Sequence, residues 1–108
     1  MKPSLNELRT HARNVFSAAL IASDPGAAVK TNLRLRGDRL HVAGRDYELA
    51  SVRHIFVAGC GKASAPMASA VEELLGDKIA DGVIVVKYGH GLPLKKIRVV
   101  AAGHPIPD

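Results

Sequence analysis

Apolar residues recur at helical spacing at Leu5, Leu8, Ala12, Val15, Phe16, Ala19 and Leu20, and this stripe predicts a helix over 5–22. Ser4-Leu5-Asn6-Glu7 ahead of it reads as a capping box, with serine and glutamate satisfying orphan N–H groups. Asp24-Pro25-Gly26 ends the stripe, and Pro25 can open a second short helix through about Asn32. The period then changes. Leu33, Leu35, Leu40 and Val42 alternate with Arg34, Arg36, Arg39 and His41 around Gly37-Asp38, which predicts a small β-hairpin.

From Val52 onward the pattern predicts a strand at about 53–58, a helix at 62–75 closed by Gly76, and buried strands at 82–87 and 97–102. The first two strands and their helix form a βαβ unit, normally parallel and right-handed. Uninterrupted apolar runs suit parallel strands covered on both faces. The link from Tyr88 to Lys96 is too short for a helical crossover, so the last strand is either antiparallel or reached by an extended loop. The fold class is therefore α/β: a partial Rossmann-like, doubly wound domain with an N-terminal helix and a small β-hairpin. About three strands with one covering helix per face would leave edges unpaired. The sequence ends immediately after a strand, at Gly103-His104-Pro105-Ile106-Pro107-Asp108. Residues 1–108 are accordingly expected to be the N-terminal portion of a longer Rossmann-like domain, without its C-terminal domain.

Composition narrows the function. The chain has 108 residues, 47% of them hydrophobic and 4% aromatic, which supports a core of aliphatic side chains and excludes wholesale disorder. Its formal charge of +5 is spread along the chain without a recognised motif or aromatic interleaving, which argues against a nucleic-acid partner. Cys60 is the single cysteine, so no intrachain disulfide forms and a reducing compartment fits. No apolar run reaches the roughly 18 residues of a membrane span, and the N-terminus lacks the apolar core of a signal peptide. A cytoplasmic protein with no membrane partner is expected. Arg36-Gly37-Asp38 spells an adhesion triplet, but without a secretory signature it reads as a plain turn.

Candidate chemistry gathers where strands end. In open α/β sheets ligands settle beyond the carboxyl ends of the strands. Residues 59–64, 87–91 and 103–108 leave such ends, and they converge on one edge if the last strand is parallel. The first, Gly59-Cys60-Gly61-Lys62-Ala63-Ser64, is a glycine turn opening a helix, where main-chain N–H groups and the helix dipole favour an anion. A cation in a first helical turn opposes the dipole by a few tenths of a kcal/mol, a conflict that an anionic ligand of Lys62 would relieve. The turn lacks the third glycine of the dinucleotide fingerprint and is not a Walker A loop. Cys60, without a resolving cysteine, reads as a small packing residue. His90 and His104 are either polar contacts for a ligand or ordinary loop residues. His11, His41 and His54 show no ligand spacing and read as structural, while Asp108 is a candidate metal ligand; the metal set is otherwise unknown.

Several ordered segments carry a resemblance. They are Ala19-Leu20 with Asp24-Pro25, then 57–64, Met67-Ala68, Val71-Glu72, Leu75-Gly76-Asp77, 82–90 and 102–108. Residues from about 8 to 108 thus resemble the N-terminal region of the glycerate 2-kinase family, whose members carry a MOFRL C-terminal domain and are sometimes labelled hydroxypyruvate reductase. The resemblance implies phosphorylation of the glycerate 2-hydroxyl from ATP with Mg2+ or another divalent cation. It also implies an active site in the cleft between two domains. Lys62 falls on the lysine regarded in that family as catalytically important. Gly59, Gly61 and Ser64 would shape its anion-binding turn, and Gly89, His90 and His104 fall in matching substrate- or nucleotide-binding loops. The expected partner is a small molecule, glycerate; a homo-oligomer is left open. Two other readings remain: a reductase binding NAD(P)H at the glycine turn, and a non-catalytic anion-binding module.

Overall fold

The computed structural model describes residues 1–106. Helix α1 spans Leu5–Ala22, and its capping box is formed as expected: Glu7 N donates to Ser4 Oγ at 3.2 Å, and Ser4 N donates to the Glu7 carboxylate at 2.6 Å. Helix α2, Pro25–Asn32, starts on an Asp24 cap whose carboxylate accepts from Ala27 N at 2.8 Å. Three antiparallel strands follow in order: β1 (Leu33–Arg36), β2 (Arg39–Val42) and β3 (Arg45–Glu48). The predicted hairpin is thus a three-stranded meander. β3 was hidden because Arg45-Asp46-Tyr47-Glu48 is exposed throughout and has no apolar alternation.

The second sheet contains β4 (Ile55–Cys60), β5 (Ile79–Lys87) and β6 (Ile97–Ala102), all parallel, in that order. Helix α3, Ser64–Leu75, joins β4 to β5 and is closed at Gly76, whose φ of 49° is the left-handed value that favours glycine. Relative to the sequence, β4 begins and ends two residues later, β5 begins three earlier, and α3 begins two later. Lys62 therefore precedes the helix instead of occupying its first turn, and Asp81 lies within β5.

The direction of β6, open from sequence, is parallel. Because 88–96 is too short for a helix, it runs as an extended connection, and α3 secures its far end. The Glu72 carboxylate accepts from the successive amides of Lys95, Lys96 and Ile97 at 2.7, 2.9 and 3.0 Å. Burial alone would raise the Glu72 pKa, but these three N–H donors outweigh it and hold the group below its ordinary value of 4.5. A carboxyl whose folded-state pKa is depressed contributes stability that is complete above the unfolded value and lost as pH falls through the folded one. Glu72→Ala is expected to cost about 2 kcal/mol at neutral pH. Glu72→Gln should flatten the loss of stability below about pH 4.5. Denaturant titrations at pH 7 and pH 3.5 measure both; a wild-type pH slope retained in the glutamine variant would remove Glu72 from this role.

The core lies between α3 and one face of the parallel sheet. Ile79, Ile84, Val86 and Ile97 meet Ala65, Ala68 and Leu75, with Leu94 of the extended connection and Leu35 and Leu40 of the meander at the margin. Central strand β5 passes β4 so closely that a Cβ on Gly82 would stand 2.8 Å from the Val57 carbonyl oxygen. The opposite face, expected to be covered too, is left open among the described residues. Two right-handed crossovers stepping in the same direction put both connections on one side. Helix α2 packs chiefly on α3, and Phe56, Val85 and Val100 are exposed. None of α1 is buried. Among the described residues no helix is long and apolar enough to cross a membrane.

Candidate functional site

Parallel β6 brings the three carboxyl-end loops together. A cavity of about 110 Å³ lies there, lined by Cys60, Gly61, Lys62, Lys87, Gly103 and His104 among others. Among the described residues its wall carries two lysines and a histidine and no carboxylate, which suits an anion.

The turn between β4 and α3 is built by Gly61 and Ser64. Gly61 adopts φ +107°, a backbone conformation other residues rarely take, although a Cβ there would meet nothing within 4 Å. Conformation, not space, requires this glycine. Its N–H donates to Val85 O at 3.0 Å, and its carbonyl accepts from Ser64 N at 3.2 Å and Ser64 Oγ at 2.7 Å. The buried Ser64 hydroxyl also approaches Val85 O at 3.4 Å, so it fastens the turn to β5 and faces protein carbonyls.

Two amides are left over. Lys62 N and Ala63 N have no acceptor among the described residues, and Lys62 Nζ forms no ion pair. Pro66 carries no N–H, so the first turn of α3 presents fewer donors than an ordinary helix start. What remains beside the positive end of α3 is two main-chain donors and the Lys62 side chain.

Other residues expected from sequence fall differently. Gly59 lies inside β4, where a Cβ would find ordinary contacts at 3.5 Å from Ile84 and 3.8 Å from Ser64. Gly89 and His90 form a turn at the start of the β5–β6 connection, with Gly89 at φ +81° and His90 N donating to Lys87 O at 3.0 Å, outside the cavity lining. His104 lines the cavity. Cys60 is exposed at the mouth instead of packed in the interior. Asp108 lies outside the described residues, and among those described no group of three or more His, Cys, Asp or Glu side chains could hold a metal ion.

Sequence reasoning placed Lys87 in the second of the three loops but did not single it out as a cavity residue. Its place at the end of β5 was the available signal, once β6 is known to run parallel. It also missed an apolar hollow of about 220 Å³ beside the turn, lined by Val29, Gly59, Cys60, Ala63, Met67 and Val71 among others. Val29 arrives there through the packing of α2 on α3, which no local pattern encodes.

The fold is an α/β domain with a glycine turn at the carboxyl edge of a parallel sheet. The family model "Domain of unknown function (DUF4147)" matches residues 11–108, and the chain belongs to that family. It is 38% identical over 102 residues to a glycerate 2-kinase of Pyrococcus horikoshii, covering 94% of this chain and 22% of that one. A putative hydroxypyruvate reductase of Agrobacterium vitis is 38% identical over 98 residues, covering 89% and 19%. A glycerate kinase of Danio rerio is 38% identical over 85 residues, covering 79% and 16%. The crystal structure of the PH0495 protein from Pyrococcus horikoshii OT3 superposes with a TM-score of 0.78 at 37% identity, over 100% of this chain and 23% of that one. The chain thus spans about a fifth of the length of these relatives.

Proposed function

We propose that this chain is the N-terminal part of a kinase that transfers the γ-phosphoryl group of ATP to the 2-hydroxyl of glycerate. The observation that carries the reading is a basic cavity lined by Lys62, Lys87 and His104, next to a turn whose Lys62 and Ala63 amides have no acceptor among the described residues. The names of the relatives supply the substrate; the geometry supplies the chemistry.

Phosphoryl transfer depends on positioning and charge stabilisation more than on covalent chemistry from the protein. An ammonium beside two N–H donors grips a carboxylate or phosphoryl oxygen through several charge-assisted bonds at once. Lys62 acts as an electrostatic clamp on the anionic group, not as a general base. Lys87 and His104 add positive or polar character to the same wall. Gly61 and Ser64 hold the turn in the shape that leaves the two amides free. When bound, the divalent cation would neutralise charge on the nucleotide phosphates. The described residues do not assemble a ligand set for it, so none of these steps runs through it. The reaction is proposed to take place in the cytoplasm.

The reductase reading predicts a different signal. ATP-dependent phosphorylation of glycerate by the full-length protein, without oxidation of NADH in the presence of hydroxypyruvate, is the expected outcome. Oxidation of NADH without phosphoryl transfer would replace the kinase by the reductase.

A further inference from the structure

The meander carries a second basic surface, remote from the Lys62 turn. Strand registers place Arg34 opposite His41 and His41 opposite Asp46, while Arg36 stands opposite Arg39 and Arg39 opposite Glu48. One face of the sheet therefore presents two parallel rows, each running from an arginine on β1 to a carboxylate on β3. The carboxylates are spent on β2: Glu48 Oε1 accepts from Arg39 Nε at 2.8 Å, and Asp46 Oδ1 lies 2.7 Å from His41 Nδ1. In the β1–β2 turn, Asp38 is held by Lys78 Nζ at 3.3 Å. Arg34 and Arg36 are left with no acidic partner among the described residues.

Like charges directly opposed across strands are destabilising, and Arg36 faces Arg39 in this way. Charge on an edge strand discourages edge-to-edge pairing, but that purpose does not call for an arginine opposite another arginine. The two surplus guanidinium groups share a face, with Cα atoms about 7 Å apart along the strand. They border an open groove of about 570 Å³ whose lining is Arg34, Arg36, Arg39, His41 and Asp46. Guanidinium forks match phosphoryl oxygens in a bidentate fashion, and two forks at this separation suit two linked phosphoryl groups.

We infer that this face of the meander binds a small molecule bearing a diphosphate, with Arg34 and Arg36 gripping one phosphoryl group each. The site is independent of the proposed kinase reaction. The meander is tied through Asp38 to Lys78, immediately before β5, at the end of the parallel sheet opposite the Lys62 turn. Its ligand would therefore act as an effector and not as a reactant.

Inorganic pyrophosphate is the probe. Titrated into the chain at low ionic strength, with backbone amides followed by NMR, it is expected to shift residues 33–48 saturably. Sulfate at matched ionic strength should bind more weakly. The Arg34→Gln/Arg36→Gln double variant should weaken pyrophosphate by at least about tenfold, while Lys95→Gln, outside the groove, should leave it unchanged. An Arg36→Lys variant, retaining charge without the fork, should fall between. Circular dichroism verifies that each variant is folded. Absence of saturation, equal affinity in the double variant, or shifts centred on residues 61–64 would each overturn the inference. So would single-stranded RNA binding through Arg34 and Arg36 more tightly than pyrophosphate, which would make the face a nucleic-acid surface.

Discussion

Lys62→Ala is expected to lower the turnover of glycerate phosphorylation in the full-length protein by at least about a hundredfold, the size of effect seen when one preorganised charge contact to a transition state is removed. The reason lies in what Lys62 does not do. It precedes α3, forms no ion pair among the described residues, and lines the cavity where the strand ends meet. Removing it is therefore expected to delete the charge proposed to grip the anionic group while leaving the fold intact. Thermal stability of the variant should match the wild type, which separates this loss from one caused by unfolding. If the ammonium strengthens its grip as charge redistributes toward the transferred group, kcat falls more than KM rises. Steady-state kinetics with ATP and glycerate provide the test. A variant retaining near-normal turnover would reduce Lys62 to a solvated side chain and would remove the observation on which the proposed function stands.

Gly82→Ala is expected to be the most destabilising single-methyl change among the described glycines, at about 2–3 kcal/mol. Its Cβ would approach the Val57 carbonyl oxygen to 2.8 Å, Val57 Cβ to 3.1 Å and Ile97 Cγ1 to 3.1 Å. The Val57 carbonyl and Cβ on β4 and the β-branched Ile97 side chain on β6 leave little that can yield cheaply. Gly82 also sits in the central strand, paired on one side with Val57 and on the other with Ile97, so relief by shifting β5 would strain both ladders. Against a typical domain stability of 5–15 kcal/mol this is a large fraction. A denaturant midpoint that falls with unchanged slope is the expected result. A change smaller than about 0.5 kcal/mol would mean that β4 and β6 flank β5 less tightly than the distances imply.

Much of this was legible in the residues. The α1 stripe and its capping box, the proline opening α2, and glycine closing α3 are local signals, and local hydrogen bonding realised them as read. The parallel β4–α3–β5 unit followed from period and length. The direction of β6 did not, because the decisive interaction is long-range: a carboxylate on α3 receiving three amides more than twenty residues away. For the same reason the uncovered face of the sheet could not be foreseen. Apolar runs in β5 and β6 report that both faces are hydrophobic, but not which packing partners are present. At the turn, sequence indicated the glycines and lysine but could not divide the amides into those already engaged, Gly61 and Ser64, and those free, Lys62 and Ala63. It also gave Ser64 no hint of its inward hydrogen bonds, and it left β3 invisible behind four exposed side chains.

The one-sided routing of both crossovers has a consequence for burial. Phe56, Val85 and Val100 form a wetted greasy floor on one face of the three strands, and α1 carries a second water-facing apolar strip. In the chain as described, these two surfaces, and not the small interior that α3 seals, are where further apolar burial is still open.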